Sequence, residues 1–151
     1  MKYFTINELC ASSTAARLGI RNIPNEEIKS NLIALVDNVL DPLRTNYGKP
    51  IIVSSGYRCL ALNQAVGGSK TSQHVKGQAA DISCTNASLE GNKEIFDLIL
   101  SMNLPFDQLI YEFGNEAGPA WVHVSFSNNG NRGQILRAKK VGKRTVYEIM
   151  K

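Results

Sequence analysis

Histidine is scarce in this chain: His74 and His123 are the only two among 151 residues. Trp121 is the single tryptophan. Cysteine occurs three times, at Cys10, Cys59 and Cys84, with no CxxC pair and in odd number, which excludes a disulfide framework and leaves buried free thiols as the plain reading. No stretch approaches the roughly 18 apolar residues of a membrane span, so a spanning helix is excluded. Internal repeats, low-complexity tracts and linkers are also missing. A chain of 151 residues without them suits one domain over 1–151, long enough to bury roughly 70% of its unfolded surface without staples.

What is present is unevenly charged. Residues 127–151 carry seven bases (Arg132, Arg137, Lys139, Lys140, Lys143, Arg144, Lys151) against Glu148 alone, whereas the rest of the chain has ten bases and twelve acids. A basic C-terminal segment can contact an anionic polymer, or it can be a solvated strand edge guarded by lysines. Tyr147 is its only aromatic, so it lacks the stacking surface of a nucleic-acid binder, and that partner is disfavoured.

The apolar spacing predicts a short helix over 6–18 and a longer one over 26–46. Asn25 is the expected N-cap of the longer helix, and Pro42 is expected to kink it. A third helix is expected over 88–102, and LALNQAV reads as a short one. KPIIVSSGY, QAADIS, FDQLIYEF and WVHVSFS read as strands, and GQILRAKK with RTVYEIM as a closing hairpin. Helices first and strands late predict an α+β fold, a mainly antiparallel sheet flanked by helices.

Strand parity then gathers chemistry on one face. Asp81 shares its side of the strand with Ala79 and Ser83, Glu112 with Gln108 and Ile110, and His123 with Trp121 and Ser125. If 107–113 and 121–126 pair as a hairpin, Glu112 falls roughly opposite His123. His74, Asp81 and His123 make a three-ligand zinc set that leaves a fourth position for water, and Glu112 could be the base that takes a proton from that water. Each histidine alone is as readily a satisfied polar contact.

SGYRCLALNQAVGG, SQHVKGQAADI, DQLIYE and WVHVSF, in this order, resemble the zinc D-Ala-D-Ala carboxypeptidase and L-alanyl-D-glutamate endopeptidase family. That family is structurally akin to the vancomycin-resistance dipeptidase and the hedgehog signalling domain. Its signature, SxHxxGxAxD and a late WxH strand, is met by Ser72, His74, Gly77, Ala79, Asp81, Trp121 and His123, and the likeness covers about residues 3–138, with the motifs in about 50–138. The resemblance implies zinc on His74, Asp81 and His123, substrate or oxyanion binding by Arg58, and a substrate hydrogen bond from Ser72. The plain alternatives are a surface salt bridge for Arg58 and a loop-capping hydroxyl for Ser72.

Many members carry the catalytic acid three residues before the last histidine, where this chain has Ala120. Glu112 is therefore the expected base, with Glu116 and then Asp107 behind it. The implied activity is hydrolysis of peptidoglycan stem peptides, either trimming a terminal D-Ala or cutting inside the stem. The alternative is a non-catalytic metal- or peptidoglycan-binding module on the same fold. MKYFTINELC has no apolar run after Lys2. The expectation is a chain made in the cytoplasm that reaches the cell wall by release, as a phage lysis protein does, or one whose leader has been removed.

Overall fold

The computed structural model describes residues 1–150. Its N-terminal part is helical, but the segment expected as one helix over 6–18 is two. α1 (Ile6–Cys10) starts at Thr5, whose hydroxyl accepts from the Glu8 amide at 3.1 Å, and α2 (Ser13–Leu18) restarts at Ser12, whose hydroxyl accepts from Ala15 at 3.1 Å. Two capping hydroxyls so close together favour two short helices over one continuous one.

α3 (Glu26–Leu35) begins at Asn25, whose side chain accepts from the Ile28 amide at 2.8 Å, as expected. The irregularity assigned to Pro42 lies one turn earlier. Val36–Leu40 is a π-helical turn, and α4 (Asp41–Tyr47) follows it. Proline lacks an amide hydrogen and its ring crowds the carbonyl four residues back, here Asn38, so the preceding turn widens. Leu32, Leu35, Val36, Val39, Leu40 and Leu43 are all fully buried along this rod.

Among the described residues six strands form one sheet: β1 (Ile51–Ser55), β2 (Ala79–Cys84), β3 (Gln108–Glu112), β4 (Trp121–Ser125), β5 (Gln134–Val141) and β6 (Arg144–Ile149). The order is β1-β2-β4-β3-β5-β6, antiparallel throughout except for the parallel pair β3/β5. The α+β expectation, with a mainly antiparallel sheet, therefore holds. α5 (Leu60–Ala65) follows β1, and α6 (Leu89–Ser101) follows β2. One face of the sheet, with Ala80, Ile82, Leu109, Tyr111, Val122 and Val124, packs with the helical leucines and with Ile95, Phe96 and Ile99 of α6 in a single apolar cluster. Each such large side chain contributes about 1.5–3 kcal/mol by leaving water. All three cysteines are free; Cys84 is buried, while Cys10 and Cys59 are only half-buried.

Fully buried Asn92 on α6 ties the helix to one end of the sheet, where β2 finishes and β4 begins. Its carbonyl accepts from the Cys84 amide at 2.9 Å, and its amide donates to the carbonyls of Pro119 at 3.1 Å and Ala120 at 2.9 Å, just before β4. Asn92→Ala removes the partner of three backbone groups, two of them buried. It is expected to cost about 2–3 kcal/mol, read as a lower denaturant midpoint at unchanged slope.

Candidate active site

The helix-free face of the sheet carries the polar side chains. Register places Ser55 beside Asp81, Asp81 beside His123, His123 beside Ile110, Ile110 beside Leu136 and Leu136 beside Ile149. A second row runs Trp121, Glu112, Ala138, Tyr147. Glu112 thus lies opposite Trp121 and diagonal to His123, two residues along from the direct pairing expected. The two still share one face, within reach of a long side chain.

His74 comes from the loop between α5 and β2. Its Nδ1 lies 2.7 Å from the Gly56 carbonyl, which can only accept, so Nδ1 carries the proton and Nε2 keeps its lone pair. That Nε2 is 3.4 Å from Asp81 Oδ1, and His123 Nδ1 is 3.0 Å from the same oxygen. One donor atom from each of His74, Asp81 and His123 lies within 4.8 Å of the others. Gly56 approaches the chain so closely that a Cβ there would sit 2.1 Å from the Leu9 carbonyl oxygen, so the SGY turn needs glycine. Gly77 ends the histidine loop at φ +70° and packs on Ile28 of α3; it shapes the turn and its seat on the helix rather than making room at the donors.

Burial alone would raise the Asp81 carboxyl, but the two imidazoles outweigh it and hold the group well below the usual carboxylate range. Asp81 is therefore an anion at any working pH, flanked by two nitrogen donors. Two imidazoles and one carboxylate are the donor set of a catalytic zinc, so these residues fit the metal and could hold it.

Arg58 stands beside them. Its Nε donates to Ser55 Oγ at 3.0 Å and its Nη1 to Asn63 Oδ1 at 3.1 Å, while Nη2 lies 3.6 Å from Asp81 Oδ2. Burial lowers its pKa, and Asp81 and Glu112 pull against that. Ser72 Oγ accepts from the His74 amide at 3.2 Å, a loop-capping bond that leaves its own hydrogen free to donate. Glu112 is 7% exposed, and burial pushes its carboxyl up to about 7, with Asp81 adding to the rise and His123 and Arg58 opposing it. Arg58, Ser72, His74, Asp81, Glu112 and His123 all line one cleft of about 880 Å³.

The two other carboxylates considered as bases are otherwise engaged. Glu116 is exposed and pairs with Arg137 at 2.8 Å. Asp107 is buried and accepts from the Arg132 amide (2.8 Å), Nε (3.0 Å) and Nη2 (2.7 Å) and from Gln73 Nε2 (3.0 Å). The arginine hydrogen bonds draw its pKa down. Its work is to tie the loop next to His74 to the Arg132 segment.

Sequence reasoning missed Asn63, which orients Arg58, and Gln73, which anchors the histidine loop. Neither lies in a spacing that signals its partner. It also missed Tyr147 and Ile149, which line the same cleft. Strand parity puts Thr145, Tyr147 and Ile149 on one face, and the hairpin of β6 with β5 was expected and is present, but which strand that hairpin would join was not readable.

Residues 2–125 match the Peptidase M15 family. The chain belongs to that family. A comparison with curated proteins gives no match. Peptidase M15 is the family of zinc D-Ala-D-Ala carboxypeptidases, so membership makes the chain a peptidase of metallopeptidase type and supports action on peptidoglycan. The matched region of this M15 chain contains the donor set, Arg58, Ser72 and Glu112, and it stops at the last residue of β4. Among the described residues no helix is long and apolar enough to cross a membrane.

Proposed function

We propose that the protein hydrolyses a peptide bond within the stem peptides of bacterial peptidoglycan, with zinc held by His74, Asp81 and His123. The observation that carries this reading is the convergence of those three donors in one cleft with a buried carboxylate, Glu112, on the same sheet face. Bound there, zinc supplies a Lewis acid for the scissile carbonyl and brings the pKa of water toward neutrality.

The chain's own groups do the rest. Glu112 takes the proton of the attacking water and passes it to the leaving amine. Burial that raises the carboxyl suits both steps, because it makes the carboxylate a better proton acceptor than an exposed one while leaving it able to release the proton. Arg58, held by Ser55 and Asn63, offers a fixed cation to the negative charge that develops on the carbonyl oxygen, or to a substrate carboxylate. Ser72 donates its free hydrogen to the substrate backbone. Ala120 does not leave the site without a base, because its amide is bonded to the Glu112 carbonyl at 2.9 Å and the neighbouring strand supplies the carboxylate instead.

The test is incubation of zinc-loaded protein with purified peptidoglycan and defined stem peptides, with and without chelator, and identification of products by mass. Chelator-sensitive cleavage is the expected result. A requirement for a free terminal carboxylate would separate trimming of D-Ala from cutting inside the stem. Zinc bound without cleavage of any stem peptide would overturn the peptidase reading in favour of a binding module.

A further inference from the structure

The row of side chains that begins at the donors ends in aliphatic groups. After Asp81 and His123 come Ile110, Leu136 and Ile149, one from each successive strand, and Tyr147 stands next to Ile149 at the end of the Glu112 row. Ile110 and Leu136 form a small apolar cluster with Ala138 on the helix-free face, separate from the main core. Ile149 is 79% exposed and Tyr147 54% exposed, yet both line the same cleft as the donors. Ala138, between Glu112 and Tyr147, is fully buried, so the alanine gives neighbouring side chains space to close over it. The cleft therefore carries an apolar stretch, flanked by Gln108, Gln134 and Thr145, beside its charged centre. The apolar stretch is built largely by β5 and β6, beyond the family match at residues 2–125.

We propose that Leu136, Tyr147 and Ile149 form a subsite for an apolar side chain of the substrate, some residues away from the bond that is cut. The proposal rests on the peptidase reading and adds where the peptide lies. From His123 to Ile149 is three strand spacings of ~4.8 Å, or about 14 Å, which an extended peptide covers in about four residues. On the other side of the donors, Gly67, Gly68, Ser69 and Thr71 continue the cleft. A volume of about 880 Å³ is at the upper end of the roughly 300–1,000 Å³ usual for small-ligand sites. A substrate with residues on both sides of the cut fills such a cleft, so the subsite favours an internal bond over a terminal one. The occupant is the peptide itself because the apolar surface is continuous with the reacting groups and lies on the same side of the sheet.

The experiment is a glycine scan of a cleavable stem peptide, read as KM and kcat with wild-type, Tyr147→Ala and Ile149→Ser proteins, all zinc-loaded. At one peptide position glycine is expected to raise the wild-type KM about tenfold, the lower end of what one lost methyl or methylene costs in an apolar pocket. The same change should cost the two variants little, with zinc content unchanged. In a Glu112→Gln background, where cleavage is slow enough for the peptide to outlast a titration, the fluorescence of the single tryptophan, Trp121 in the cleft wall, should report the same difference as weaker binding. Equal glycine costs in wild type and variants at every position would overturn the subsite while leaving the peptidase intact. Absence of any cleavage by the wild type would overturn the peptidase reading. In that case unchanged affinity across the variants would overturn the subsite as well.

Discussion

Asp81→Asn is expected to remove zinc and hydrolysis together. The substitution keeps the size of the side chain and one acceptor oxygen, so the fold has little reason to change. What it removes is the negative charge between two imidazoles and a guanidinium. Asp81 Oδ1 faces both histidines, at 3.4 and 3.0 Å, and Oδ2 faces Arg58 at 3.6 Å. A neutral amide offers a weaker oxygen donor and leaves Arg58 without its ion-pair partner, though Ser55 and Asn63 still hold it. Loss of an outer-sphere partner typically costs 10–100-fold in metal affinity, and loss of a direct ligand should exceed about 100-fold. The measurement is zinc content after dialysis against a competing chelator, alongside turnover of a stem peptide. Full zinc occupancy in Asp81→Asn would sink the assignment of this residue as a ligand, whatever the turnover.

Glu112→Gln should separate what Asp81→Asn joins. Zinc remains bound, and kcat falls by about 10²–10⁴-fold, the usual contribution of a general base. The pH dependence carries the sign. As the proposed base, Glu112 works as the anion, and burial raises its carboxyl, so wild-type kcat/KM rises with pH along an acid limb and then levels off; a bound dication draws that limb below the metal-free value of about 7. The residual activity of Glu112→Gln should lack that limb.

Stability of the metal-free protein should move the other way. The Glu112 pKa is raised on folding from an ordinary value near 4.3, so the folded state holds the proton more tightly. Its contribution is fully present at low pH and is lost as pH rises from about 4 through 7. The glutamine variant has no such loss and should be the more stable protein above pH 7, by up to a few kcal/mol. Wild-type turnover in Glu112→Gln would assign the base to another group, and an unchanged stability profile would show that the carboxyl is not raised.

Much of this site was legible because strand parity depends only on alternation. Asp81 in QAADIS and His123 in WVHVSFS could be placed on one face without knowing any pairing, and the structure pairs them directly. The exact partner of Glu112 was not legible. Register between β3 and β4 is set by the connection Phe113–Ala120, where Phe113 and Gly114 both have positive φ and Asn115 bridges to Gly118. Those conformations depend on packing that the sequence does not display. The loop position of His74 was likewise visible as a motif, while the Gly56 carbonyl that fixes its ring is a contact across 18 residues. The parallel β3/β5 pair escaped notice because both strands have ordinary patterns and nothing local marks direction.

The parallel pairing also bears on how the chain can be made. β3 hydrogen-bonds β4 on one side and β5 on the other, with Gln108 to Glu112 aligned against Gln134 to Ala138. A nascent chain that has emerged only to Ser125 already holds both histidines, Asp81 and Glu112. Its sheet nevertheless ends in a bare β3 edge with Ile110 uncovered, the kind of edge that recruits another chain. The groups of the reaction centre are thus all synthesised before the sheet that carries them can close, and the ribosome must deliver β5 before the nascent protein is safe from its neighbours.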